Sequence, residues 1–120
     1  MMSDEPKPIR ALFCCGVLQN FFDLPSAEIP TVLKATGRLM RTIREMDGVN
    51  VLGTLDDDET MIGPTGNGGP YMFYILADVA DRETAVAICN LFRTTEVGEH
   101  RLWKYLSIEA RLGRELVMPE

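Results

Sequence analysis

The chain is poor in the residues on which much protein chemistry depends. Its 120 residues include one histidine, one tryptophan and three cysteines. The single histidine, His100, leaves little material for a metal centre. The cysteines are Cys14, Cys15 and Cys89. Their odd number, with two of them adjacent, argues against a disulfide framework, and no CxxC pair is present. On a strand Cys14 and Cys15 point to opposite faces, so they cannot grip one metal ion together. They read as small buried hydrophobes. Positive charge is scarce too: 12 Lys and Arg stand against 18 acidic side chains, a net charge of −6. Nucleic-acid binding draws much of its affinity from a basic field that neutralises phosphates, and here the arginines are dispersed. A basic tract for an anionic membrane is also missing. No apolar run approaches the roughly 18 residues of a membrane span. Residues 1–8 carry Asp4 and Glu5 and lack the basic start and apolar stretch of a signal peptide. The expected location is therefore the cytoplasm. A GxSxG elbow, a dinucleotide-binding fingerprint and a glycine loop ending in GK[ST] are all absent. Nothing in the chain demands a cofactor.

What is present is the material of one globular domain. Residues 1–8 read as a polar tail, residues 9–112 as the domain and residues 113–120 as a C-terminal tail. Arg10 to Val17 is a short apolar run suited to a strand buried on both faces. Gln19 to Pro25 reads as a loop. Ser26 is placed to cap a first helix, with Glu28 in its first turn and Pro30 tolerable only near that start. Ile29, Val32, Leu33, Thr36, Met40 and Ile43 recur at helical spacing and form the inner face. Lys34, Arg38, Arg41 and Glu45 lie opposite, with Arg41 and Glu45 an i,i+4 pair. Asp47-Gly48 stops the helix. Val49 to Leu55 is a second strand of mixed character. Tyr71 to Ala77 is a third, apolar on both faces. Between these two strands lie the acidic run Asp56 to Glu59 and a segment, Gly63 to Pro70, too rich in glycine and proline to be anything but loop. Asp81 caps a second helix whose buried face is Ala85, Ile88, Cys89 and Phe92, with Gly98 as terminator. From Arg101 to Ala110 the chain alternates. Leu102, Leu106, Ile108 and Ala110 make one face; Arg101, Trp103, Tyr105, Ser107 and Glu109 make the other. That period signals a fourth strand, with Lys104 the exception on the apolar side.

The order βαββαβ is the ferredoxin-like arrangement. It is an α+β fold with a four-stranded antiparallel sheet of order 4-1-3-2 and two helices on one face. That order places strands one and three in the centre, and these are the two strands that are apolar on both sides. The helix-free face then presents a large hydrophobic patch. A second copy packed face to face with two-fold symmetry covers it, so a homodimer is expected.

His100 stands at the entry to the fourth strand between Glu99 and Arg101, and histidine is the usual proton carrier near neutral pH. Glu109 shares a face with Trp103 and Tyr105, and a carboxylate among aromatics can serve as acid or base. These two are the candidate catalytic residues. Tyr74, Trp103 and Tyr105 can hold a flat organic molecule, with phenol hydroxyls to orient it. Arg101 can meet a carboxylate bidentately. The plainer alternative is that His100 is an exposed loop residue and that the aromatics pack the core or the dimer interface. His100 with Glu96 and Glu99 matches no metal-site spacing. The run Asp56 to Glu59 lacks the calcium-loop pattern and reads as a solvated hairpin. The loop from Gly63 to Gly69 suits either a lid or a long turn.

With the elements placed, residues 9–112 resemble the dimeric α+β barrel superfamily. That group includes cofactor-independent monooxygenases, muconolactone isomerases and stress-response barrel proteins, so architecture alone does not imply function. Three stretches carry a narrower resemblance. They are Ile9-Arg10-Ala11-Leu12-Phe13-Cys14-Cys15-Gly16-Val17, Gly48-Val49-Asn50-Val51-Leu52-Gly53-Thr54 and Gly69-Pro70-Tyr71-Met72-Phe73-Tyr74. These are similar to the small accessory proteins of bacterial indole-3-acetic acid degradation clusters. The resemblance implies a part in breaking down that aromatic acid, beside a flavin monooxygenase and a ring-hydroxylating oxygenase. It supplies no catalytic residues, and the chain lacks a clear match to the monooxygenase substrate-site pattern. Three functional classes follow: a cofactor-free isomerase, lyase or oxygenase acting on an aromatic acid; a non-catalytic metabolite binder; and a structural partner of a larger oxygenase.

Overall fold

The computed structural model describes residues 7–59 and 71–120. The chain runs β1 (Ile9–Val17), α1 (Gln19–Phe22), a 3-10 turn (Ser26–Glu28), α2 (Ile29–Glu45), β2 (Val49–Asp56) and β3 (Tyr71–Val79). It continues through α3 (Arg82–Thr94), a two-strand ribbon of β4 (Glu96–Val97) and β5 (His100–Arg101), a second 3-10 turn (Leu102–Lys104) and β6 (Leu106–Gly113). The main sheet has the order β2-β3-β1-β6, antiparallel throughout. The two strands with apolar residues on both sides, β1 and β3, hold its middle.

Alternation along those strands divides the sheet into two different faces. Ala11, Phe13 and Cys15 of β1 and Ile75, Ala77 and Val79 of β3 are buried in one core with the inner rows of α2 and α3. Leu12, Cys14, Tyr74 and Leu76 point the other way. Cys14 is only 2% exposed yet lies outside that core, so its neighbours on the helix-free face bury it. An ion pair between cross-strand partners, Arg10 Nε to Asp78 Oδ1 at 2.6 Å, ties β1 to β3 on this same face.

Local chemistry sets the helix ends. Pro30 sits in the first turn of α2, where its missing N–H is not needed. After α2 the chain turns through Gly48 at φ +77°, and a Cβ there would meet Ala80 Cβ at 3.0 Å. Both the backbone angle and the space call for glycine. Asp81 caps α3: its Oδ1 accepts from the Thr84 N–H at 2.8 Å and from the Thr84 hydroxyl at 2.6 Å. Among the described residues no helix is long and apolar enough to cross a membrane.

Several expectations are corrected. The fourth strand of the sheet is Leu106–Gly113, not Arg101 to Ala110. Arg101 belongs to the small ribbon, Trp103 and Lys104 to a 3-10 turn, and Tyr105 to the residue that ends it. Residues 102, 105 and 106 are the buried ones, a turn-like spacing that the alternating sequence concealed. Ser26 does not cap α2; it opens the 3-10 turn, and no side chain caps the helix. A short helix occupies part of the expected loop at 19–25. The inner face of α2 is Val32, Ala35, Leu39 and Ile43, while Leu33 is 58% exposed. α3 ends at Thr94, and Gly98, at φ +59°, makes the β4–β5 turn instead. Among the described residues the ion pairs are Arg10–Asp78 and Arg101–Glu96, so Arg41 and Glu45 do not form one. The loop from Gly63 to Gly69 lies outside the described residues.

Candidate functional site

α2 lies across the helix-facing side of the sheet, and where β1 ends the two part to leave a cavity of about 390 Å³. Its wall is made by Val17, Phe21, Val32, Met40, Phe73 and Leu106. Leu33, Leu55 and Met72 stand at the rim, each largely exposed. Three side chains bring polar atoms, Thr36, Thr54 and Asp56; Tyr74 borders the cavity from β3, with its ring on the helix-free face. The Thr36 hydroxyl is already committed to the Val32 carbonyl at 2.9 Å, inside its own helix. Burial pushes the Tyr74 phenol above its ordinary range, and the nearby Asp57 carboxylate adds to the shift. On the helix-free face, therefore, Tyr74 keeps its proton and has a hydroxyl that can donate or accept. Among the described residues no lysine, arginine or histidine lines this cavity.

A second hollow of about 430 Å³ lies beside the start of α2, against the β4–β5 ribbon, and its lining mixes Leu24, Val32 and Val97 with polar and charged side chains. Glu28, Thr31, Glu99, His100, Lys104 and Tyr105 line it. Lys104 Nζ is 3.3 Å from His100 Nε2. Lysine carries donors only, so this contact is a hydrogen bond when the Nε2 lone pair accepts. The His100 ring meets the Tyr105 ring edge to face at 6.5 Å, and the Lys104 ammonium lies 5.7 Å from the centre of the Tyr105 ring.

No protein-family model matches the chain. No curated protein matches it either.

The six residues singled out in the sequence thus fall in several places. Tyr74 borders the apolar cavity from β3 but turns its ring to the helix-free face. His100 and Tyr105 share the second hollow. Trp103 lies under the Arg93 guanidinium, 5.0 Å from the ring centre, over a separate surface groove with Leu18 and Phe92. Arg101 is exposed on the ribbon and reaches Glu96 at 4.0 Å. Glu109 is on the helix-free face, where the Tyr71 hydroxyl donates to it. That hydrogen bond, the largest cause, raises the Tyr71 phenol, with burial adding to it. Trp103, Tyr105 and Glu109 do not share a face, and neither His100 nor Glu109 reaches the apolar cavity. Among the described residues no three His, Cys, Asp or Glu side chains gather as a metal site, and Asp56 to Glu59 are no exception. The sequence reading missed Thr36, Met40 and Thr54. A signal for the first two was present: the apolar row of α2 is wider than one buried stripe, and the surplus row lines the cavity.

Proposed function

We propose that the chain is a small-molecule-binding protein that takes an aromatic ring into the cavity under α2. The observation that carries this reading is the cavity itself, about 390 Å³ with an apolar wall and an apolar rim. Its size falls within the range of small-ligand pockets, which are mostly apolar with a few placed polar groups. Withdrawing about 150 Å² of ring surface from water is worth on the order of 4 kcal/mol before the costs of association. The costs of association take up most of that, so hydrogen bonds to Thr54 or Asp56 are needed to carry the affinity. With no cation among the described lining residues, a ligand carboxylate stays in water at the mouth. A ring bearing an N–H or O–H donor fits better, since the Asp56 carboxylate accepts. An indole meets that description, in keeping with the resemblance to proteins of indole-3-acetic acid breakdown. Binding without turnover is the favoured form, because His100 and Glu109 stand away from the cavity.

The architecture in this reading is ferredoxin-like, and two copies join their helix-free faces as a dimeric α+β barrel. The central placing of β1 and β3, and the apolar stripe of Leu12, Cys14, Tyr74 and Leu76, support it. The test is calorimetric titration with indole, indole-3-acetamide and indole-3-acetate, followed by chromatography for products. Trp103 fluorescence is unsuitable, since that side chain lies outside the cavity. Indole and the amide should bind more tightly than the acid. Leu33→Asp and Met72→Asp, exposed rim changes that the fold tolerates, should weaken binding about tenfold. Affinity unchanged by both variants, or no heat with any of the three, sinks the proposal.

A further inference from the structure

We infer that the hollow beside the start of α2 is a second small-molecule site, and that it takes a free α-amino acid with an aliphatic side chain. Three parts of the chain converge there. Glu28 comes from the start of α2, Glu99 and His100 from the β4–β5 ribbon, and Lys104 and Tyr105 from the second 3-10 turn. The volume, about 430 Å³, is within the range of small-ligand pockets.

Charges of both signs line this hollow and do not answer one another. Among the described residues the ion pairs are Arg10–Asp78 and Arg101–Glu96, so neither Glu28 nor Glu99 pairs with Lys104. The Lys104 ammonium is half-buried, and its polar contact is the His100 ring nitrogen, which brings no negative charge. A ligand that carries both charges satisfies both signs at once. Its carboxylate meets Lys104, and its ammonium meets Glu28 or Glu99, through charge-assisted hydrogen bonds. Two such bonds of about 2.8 Å, with the ammonium and carboxylate of an α-amino acid between them, span about 8 Å. A sphere of the hollow's volume is about 9 Å across, so the zwitterion fits between groups that stand too far apart to pair directly. A simple anion would face two carboxylates, and a simple cation would face Lys104.

Tyr105 gives a second, independent sign. Its side chain is 4% exposed, and among the described residues nothing hydrogen-bonds its hydroxyl. No fully enclosed side-chain oxygen among them lacks a partner. The hydroxyl is therefore the open part of Tyr105, and it opens on the hollow that the residue lines. Buried tyrosines ordinarily find a partner for that group. A ligand carboxylate held beside Lys104 is one to which the phenol can donate. Leu24, Val32 and Val97 make the apolar side of the hollow, a floor for an aliphatic side chain. Val32 is the one residue shared with the cavity under α2, so the two sites can be lost separately.

The test titrates isotope-labelled, full-length protein with L-leucine, followed by amide resonances in NMR spectra. Isocaproate, which lacks the amine, and isoamylamine, which lacks the carboxylate, serve as controls. Leucine should shift resonances of residues 28–32 and 97–105 saturably, and each control should bind at least tenfold more weakly. Lys104→Met keeps the stem and removes the charge; it and the double variant Glu28→Gln/Glu99→Gln should each weaken leucine about tenfold. Tyr105→Phe keeps the buried ring and removes a hydroxyl without a protein partner. It should leave the thermal midpoint unchanged and weaken leucine about fivefold. Circular dichroism checks that each variant is folded. Leu33→Asp and Met72→Asp, which disable the aromatic cavity, should leave leucine affinity as it is, so this site and that one fail independently. No saturable shift with leucine, shifts centred elsewhere, or equal affinity for either control overturns the inference. Leucine binding indifferent to both Lys104→Met and Tyr105→Phe overturns it as well.

Discussion

At the scale of single residues, conformation and proton affinity decide most of what this chain does. Burial pushes the Cys15 thiol up to about 12, with Cys14 and Cys89 adding smaller effects, so it behaves as the packed hydrophobe expected of it. Asp81 is the opposite case. Hydrogen bonds from the Thr84 side chain and N–H hold its carboxyl below the ordinary aspartate value. A lowered folded value means that the ionised form stabilises the fold. The benefit is complete above the ordinary aspartate range and is lost as the pH falls through the folded value. Asp81→Ala should therefore lower the melting temperature at neutral pH by about 2–6 °C, as the loss of a helix cap does. The gap between variant and wild type should close between about pH 5 and pH 2. A gap that stays constant over that range, followed by circular dichroism melts, would mean that the carboxylate is not the cap. This cap was readable in the sequence because capping is a local rule. The position of Tyr74 in the sheet was readable because its strand was. The roles given to His100, Arg101, Trp103, Tyr105 and Glu109 depended on one long strand that the chain does not form.

At the scale of elements, periodicity reports burial faithfully only where one face is buried. Where both faces are apolar, the length of an unbroken run does the same work, and it placed β1 and β3 to within a residue or two. Periodicity failed over 101–110 because a 3-10 turn buries Leu102, Tyr105 and Leu106, residues that also fit part of an alternating pattern. In α2 the small residue Ala35 was passed over, and the large Leu33 was preferred. The structure reverses that ranking, since the row Val32, Ala35, Leu39, Ile43 faces the sheet. The difference is measurable. Leu39 is fully buried, so Leu39→Ala should cost about 2–5 kcal/mol through lost transfer energy and the cavity left behind. Leu33→Ala should stay within about 0.5 kcal/mol, as exposed substitutions do. Urea unfolding of the pair decides the matter. Equal losses would put the helix about a quarter-turn from where it is described, and the cavity beside Leu33 would go with it.

At the scale of the whole molecule, the sheet has one face covered by its own helices and one that is not. The helix-free face is not uniformly greasy. The Arg10–Asp78 pair sits at one end and Glu109 with Tyr71 lies toward β6, leaving Leu12, Leu55, Tyr74 and Leu76 as a stripe between them. A stripe framed by paired charges suits contact with a copy of itself, because polar rims around apolar centres are how interfaces are built. If two copies fold and associate together, stability depends on concentration by mass action. The thermal midpoint of the full chain should then rise by several degrees across a hundredfold increase in protein concentration. Leu76→Glu places a charge on the stripe without touching the helix-side core, so it should abolish that dependence while leaving a folded monomer. Differential scanning calorimetry on both proteins gives the answer. A midpoint independent of concentration in the unaltered chain would mean that the face stays in water, and that Cys14 owes its burial to its own protomer alone.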